Sequence, residues 1–194
     1  MPNTVVKLLR LQGLYFLLER SGMMFLYKKV AVIGCPGSGK TTFSKKLAAI
    51  TNLPHYNLDM LYWKPDASHL SRSEFKSIQE QIVAKKEWII DGNFKRTLEI
   101  RIKNAELIYF LDLPVDTCIH GVTTRKREKN FPCALPVNEE LINDVKNYNT
   151  VCKPIVLSLF EKYPNKKVIT FTSHSQIDEY IENLEVQYGT LGCV

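Results

Sequence analysis

The sequence lacks most of the features that would assign it to a simple class. No apolar run reaches the roughly 20 residues that a bilayer-spanning helix needs, so nothing in it reads as a membrane span. There is no C-x-x-C pair, and the cysteines are five in number, at 35, 118, 133, 152 and 193. An odd, scattered set supports neither a disulfide framework nor a zinc site, and a reduced, cytoplasmic setting is the default. Repeats, low-complexity tracts and an interdomain linker are also missing, which for 194 residues points to one domain with a proper core. Nor is there a long basic tail or a helix-turn-helix, OB or RRM signature. The net charge of +6 comes from basic residues spread along the chain, apart from the group Arg125, Lys126, Arg127 and Lys129. Such a charge suits a polyanionic small ligand and also nucleic acid, so its sign alone does not choose between them.

What is present is sharper. Val30, Ala31, Val32 and Ile33 form a short apolar strand that runs into Gly34, Cys35, Pro36, Gly37, Ser38, Gly39, Lys40, Thr41 and Thr42. The segment satisfies G-x-x-x-x-G-K-[ST] at every fixed position, and Phe43, Leu47 and Ile50 continue it as a helix with one apolar face. Gly34, Gly37 and Gly39 would let successive backbone N–H groups turn toward one point, and the helix start adds unpaired N–H groups and the positive end of its dipole. Lys40 then supplies a point charge for the β/γ-phosphates, and the Thr41 hydroxyl is placed to ligate Mg²⁺. This is a phosphate-binding loop for ATP, and Gly34 and Pro36 to Thr42 are its candidate contacts.

Carboxylates follow at strand ends. Leu53 to Asp59 reads as a second strand, and ligands of open α/β sheets sit at the C-terminal ends of strands, so Asp59 is either a site residue or a turn cap. Tyr62 and Trp63 either face a substrate ring or simply pack. Ser71-Arg72-Ser73-Glu74 is a capping box that opens a helix. Trp88 to Asp91 is a hydrophobic strand whose Asp91 either serves the Mg²⁺ water shell or begins a turn with Gly92. Arg96 and Arg101 suit bidentate anion recognition or simple solvation. Glu106 to Leu113 is a buried strand, Asn138 caps a helix, a helix spans Thr150 to Tyr163, and Ser173 to Gln176 is a second capping box. The basic helix end at 124–129 with the proline-containing loop behind it has the make-up of a closing lid, or of a solvated charge run. Residues 1–27 carry Leu-rich apolar stretches without a cleavage site. They read as an added amphipathic helix, or as sequence upstream of a start at Met23 or Met24.

VAVIGCPGSGKTTFSKKLA, LPHYNLDMLYWKP, WIIDGNFKRTLEIR, LIYFLDLP and KPIVLSLF…KKVITFTS, in that order, resemble the topology modulation protein family, from about residue 28 to the C-terminus. Those are small P-loop proteins similar to adenylate and shikimate kinases. The resemblance implies a three-layer α/β fold with a five-stranded parallel sheet in the order 2-3-1-4-5. It would divide the chain into an extension (1–27), a kinase-like domain (28–188) with a lid around 123–137, and a tail (189–194). It would also make Gly37 to Thr42 hold ATP, with Asp59 and Trp63 facing an acceptor, Asp91 serving Mg²⁺, and Arg96, Arg101, Arg125 and Arg127 binding anions. The family carries a further basic residue about a turn before its lid arginines, where this chain has Gly121. The expected activity is transfer of the ATP γ-phosphoryl to a small acceptor such as a nucleoside or nucleotide, with Lys40, Asp59, Arg125 and Arg127 as the catalytic set. The rival is a DNA-binding, topology-modulating regulator that uses ATP as a switch, and a third possibility is an ATP-binding protein with vestigial catalysis.

Overall fold

Val30, Ala31, Val32 and Ile33 have no solvent exposure at all. A strand that is apolar on both sides belongs in a parallel sheet covered on both faces. In the computed structural model this run is the centre of such a sheet. The structure describes residues 7–11, 14–19, 22–124 and 138–189.

In chain order the elements begin with β1 (Lys7–Leu11), β2 (Leu14–Glu19), β3 (Gly22–Phe25), β4 (Lys29–Gly34), α1 (Lys40–Thr51), β5 (His55–Asn57), α2 (Leu58–Tyr62) and α3 (Arg72–Val83). There follow β6 (Trp88–Asp91), α4 (Leu98–Asn104), β7 (Leu107–Leu111), α5 (Val115–Thr124), α6 (Glu139–Lys146), α7 (Lys153–Lys162), β8 (Lys167–Phe171) and α8 (His174–Gly189). The five parallel strands lie in the order β5-β6-β4-β7-β8. Counted from β4, that is the expected 2-3-1-4-5. Helix α1 rests on β4 and β6 and against α8, while α4 rests on β4 beside α3 and α7. The α1–α8 layer is pinned through aromatic rings. Phe43 meets Tyr109 edge-on at 4.8 Å, and the buried Tyr109 and Tyr180 hydroxyls share a 2.7 Å hydrogen bond.

Three local expectations change. The described residues between 7 and 25 are strands and not helix: β1, β2 and β3 form a separate antiparallel sheet, with Leu9 opposite Phe16 and Leu17 opposite Met24. The alternating β-formers Tyr15 and Phe16 suit a strand, and pairing between neighbouring strands overrides the helix propensity of the leucines. The second sheet strand stops at Asn57 rather than Asp59, because the Asn57 side chain accepts the Met60 N–H (2.9 Å) and starts α2 there. The helix expected from Thr150 begins as a π-helical turn over Tyr148–Cys152, and α7 follows with Pro154 in its first turn, where no N–H is needed.

The caps are otherwise as the sequence implies. Ser71 and Glu74 exchange both bonds of a capping box, and Asn138 accepts the Leu141 N–H. Before α8, Ser173 accepts the Gln176 N–H, but the Gln176 side chain reaches back to the N–H of Thr172 instead of Ser173. Residues 125–137 of the expected lid and 190–194 of the tail lie outside the described residues. Among the described residues no helix is long and apolar enough to cross a membrane.

Candidate active site

At the end of β4 the chain turns through three glycines in conformations that a side chain rarely adopts, with φ of 151° at Gly34, 83° at Gly37 and 89° at Gly39. Gly39 is the N-cap of α1 and has no side-chain bond to offer, so the first N–H groups of the helix face the turn. The Lys40 ammonium folds back into this turn and donates to the Cys35 carbonyl at 2.7 Å. Burial pushes the Lys40 pKa down, against the opposing pull of Asp59 and Asp91.

The turn lies directly on the backbone of α5. A Cβ on Gly37 would sit 2.1 Å from the Cys118 carbonyl oxygen, and a Cβ on Gly121 would sit 2.1 Å from the Gly37 carbonyl oxygen. Gly121, which stands where the resembled family has a basic residue, is thus the place where helix and loop touch without side chains between them. Beside this contact the buried Cys35 thiol is hydrogen-bonded to Cys118, and that bond together with burial pushes the Cys35 pKa up, keeping it a neutral thiol.

A short polar chain runs from the loop to the neighbouring strands. Asn57 Nδ2 donates to Thr41 Oγ1 (2.9 Å) and to Asp91 Oδ2 (3.3 Å). Asp91 is 1% exposed, and its other oxygen, Oδ1, lies 3.3 Å from His55 Nε2 without a hydrogen-bond partner. A threonine hydroxyl tied through one amide to a carboxylate is an oxygen donor set that fits a hydrated Mg²⁺. Among the described residues no cluster of three or more His, Cys, Asp or Glu forms a metal cage.

Asn57 was not singled out by the sequence because it reads there as a mid-strand residue. The signal that marks it is an Asn three residues before Met60 at a strand-to-helix change. Asn57→Ser keeps a cap for α2 but is too short to bridge Thr41 and Asp91. We expect it to lower the apparent Mg²⁺ affinity in ATP turnover by about tenfold to a hundredfold, with some fall in melting temperature because the buried Asp91 loses its amide partner. Magnesium titration of turnover checks this.

One open cleft of about 990 Å³ gathers these groups. Pro36, Gly37, Gly39, Lys40, Thr41, Thr42, Asp59 and Trp63 line it, with His174 from the 172–174 loop that the sequence offers as a floor for an adenine ring, and with Lys45, His55, Asn57 and Phe94, which the sequence did not mark as contacts. Gly34 and Ser38 lie beneath the loop, and Asp91 stands behind Asn57.

The structure does not bring Arg96 or Arg101 to the cleft. Arg101 is wholly buried and donates to Gln79 Oε1 (2.7 Å) and to the Gly92 carbonyl (3.3 Å), so it braces the turn after β6. Its burial pushes the guanidinium pKa down to about 10 despite the nearby charges of Asp91 and Asp59. Arg96 opens instead onto a shallow groove with Lys76, Glu80, Glu99 and Lys103. Arg125 and Arg127 lie outside the described residues.

The lowered Lys40 pKa has a pH consequence. A bound polyphosphate favours the ammonium form, so binding above the depressed pKa must take up a proton. We expect ATP affinity to fall with rising pH, starting below the ordinary lysine range. Calorimetry in buffers of different ionisation heat would show that proton uptake, which Lys40→Arg would remove.

Solved structures share the fold described above. Shikimate kinase from Acinetobacter baumannii, in complex with shikimate, is 15% identical with a TM-score of 0.55, over 83% of this chain and 93% of that one. Shikimate kinase from Bacteroides thetaiotaomicron is 15% identical with a TM-score of 0.51, over 82% of this chain and 97% of that one. The chain has the P-loop kinase fold. At such identity the likeness extends to the fold alone, and within that fold the cleft lies where the glycine-rich turn, β5 and β6 end together. No protein-family model and no curated protein matches the chain.

Proposed function

We propose that the chain is a cytoplasmic, ATP-dependent phosphotransferase that moves the γ-phosphoryl to a hydroxyl of a small acceptor. The observation that carries this is the bonded chain Thr41–Asn57–Asp91, which joins the phosphate loop to a buried carboxylate behind the cleft that Asn57 and Asp59 line. Backbone N–H groups of Gly37 and of Gly39 to Thr42, with Lys40, bind and orient the triphosphate, so that positioning and charge neutralisation supply most of the rate. Asp59 accepts the proton of the acceptor hydroxyl as the new O–P bond forms and the bond to the ADP oxygen breaks. Mg²⁺, held by Thr41 and through water by Asp91, would neutralise charge on the phosphates. Arg125 and Arg127 would close over the transferring group, Trp63 would face the acceptor, and residues 28–188 would be the working unit, with 1–27 dispensable.

The sequence resemblance to topology modulation proteins supports the same assignment, since their motifs are those of the kinase-like site. Asp59→Asn separates binding from chemistry. It is expected to leave Mg·ATP heat in calorimetry intact and to lower acceptor-dependent ADP release by about a hundredfold or more. ATP hydrolysis stimulated by plasmid DNA, and by no small acceptor, would favour an ATP-switched regulator instead.

A further inference from the structure

The acceptor end of the cleft has a wall of rings. Trp63 and Phe94 line it, and both are braced by Tyr62, whose ring centre lies 5.2 Å from that of Trp63 and 4.9 Å from that of Phe94. Tyr62 in turn stacks on His69 at 4.9 Å, nearly parallel at 8°, and meets Phe75 edge-on at 4.9 Å. A bridge between Trp63 and His69 ties the intervening loop back onto itself. Trp63 remains partly exposed within this cluster. A large apolar surface held rigid and left wet on one side is what a binding face requires.

The charges at the cleft point the same way. Among the described residues its lysines are Lys40 and Lys45, both on α1, while Asp59, Glu140 and Asp144 line it as carboxylates. Arg101 is spent beneath Gly92 and Arg96 opens elsewhere. The net charge of a Mg-bound triphosphate is about what the two lysines match, which leaves no further lysine or arginine among the described lining residues for a second anion. A second anion placed beside Asp59 and the γ-phosphoryl would be desolvated among like charges.

We infer that the acceptor is an uncharged ring compound bearing hydroxyl groups, a sugar or a nucleoside, seated against Trp63, and that carboxylates and phosphate esters are rejected. This rests on the phosphotransferase assignment above and specifies the acceptor for that same site. Rejection comes from an element that repels the wrong substrate as much as from one that attracts the right one.

The test uses the full chain with Mg·ATP and matched pairs: adenosine with AMP, and glucose with glucose 6-phosphate and with gluconate. The neutral member of at least one pair is expected to support ADP release with kcat/KM more than about tenfold above its anionic partners. Trp63→Leu is expected to lower that value about tenfold with the KM for ATP unchanged, and Trp63→Phe to restore it. Equal or better use of the anionic members overturns the inference, as does failure of every neutral member while Mg·ATP heat is intact; the phosphotransferase assignment survives the first of these. Absence of Mg·ATP heat would remove that assignment and this inference with it.

Discussion

Lys40→Ala is expected to lower ATP turnover by about a thousandfold or more while leaving the melting temperature unchanged or slightly raised. The two halves have different causes. In turnover, Lys40 is the point charge inside the glycine-rich turn, and no other lysine or arginine among the described residues occupies that turn. In stability, Lys40 is only 9% exposed and its pKa is driven down by burial, so the folded protein carries a desolvation cost for it. One hydrogen bond to the Cys35 carbonyl offsets part of that cost. Removing the side chain relieves the charge and leaves the glycine turn to hold its shape through φ values that the other residues do not have to share. Turnover measured by ADP release and a thermal melt on the same sample decide the matter. Unchanged turnover would refute the site, and a large fall in melting temperature would mean that Lys40 supports the fold.

Gly121→Ala is expected to act in the direction opposite to the usual one. In a helix interior, Gly to Ala ordinarily stabilises by about 1 kcal/mol, because alanine loses less backbone entropy on folding. Here the new methyl group would meet the Gly37 carbonyl oxygen at 2.1 Å, and the neighbouring atoms are Gly37 backbone as well. Backbone cannot swing aside as a long side chain would, so α5 and the phosphate loop must separate. A net destabilisation of about 1–3 kcal/mol is expected, together with loss of ATP affinity, since the separated atoms belong to the loop itself. A urea midpoint and calorimetry with Mg·ATP check both parts. A rise in stability with affinity intact would show that helix and loop part freely.

What could be read in advance, and what could not, divides along contact distance. The glycine-rich turn, the buried strands β4, β6 and β7 and the Ser71–Glu74 capping box are written in neighbouring residues, and each formed as its local pattern implies. The strand order came from the resemblance to a known family rather than from any periodicity. Asn57 was missed because its three bonds go to Met60, Thr41 and Asp91, and the last two are 16 and 34 positions away. Arg101 looked like an anion binder because guanidinium groups usually are exposed; its burial depends on Gln79, 22 positions back, offering an amide oxygen at the right depth. Gly121 gave no signal on its own, since its meaning exists only when Gly37 lies against it. The antiparallel sheet of β1 to β3 was hidden by leucines, which favour helix locally and yield to strand pairing.

The central place of β4 has a consequence for the birth of the protein. Its two hydrogen-bonded neighbours, β6 and β7, are made only after it, and the helix that backs the glycine turn, α5, later still. A ribosome that has released the chain only as far as α1 has therefore released every atom of the G-x-x-x-x-G-K-T signature and none of its scaffold. Nucleotide cannot chaperone the earliest fragments; it can only seal a sheet whose middle has already been flanked. Nascent chains stalled before Thr124 should be blind to ATP, and those stalled beyond it should begin to resist protease when ATP is supplied.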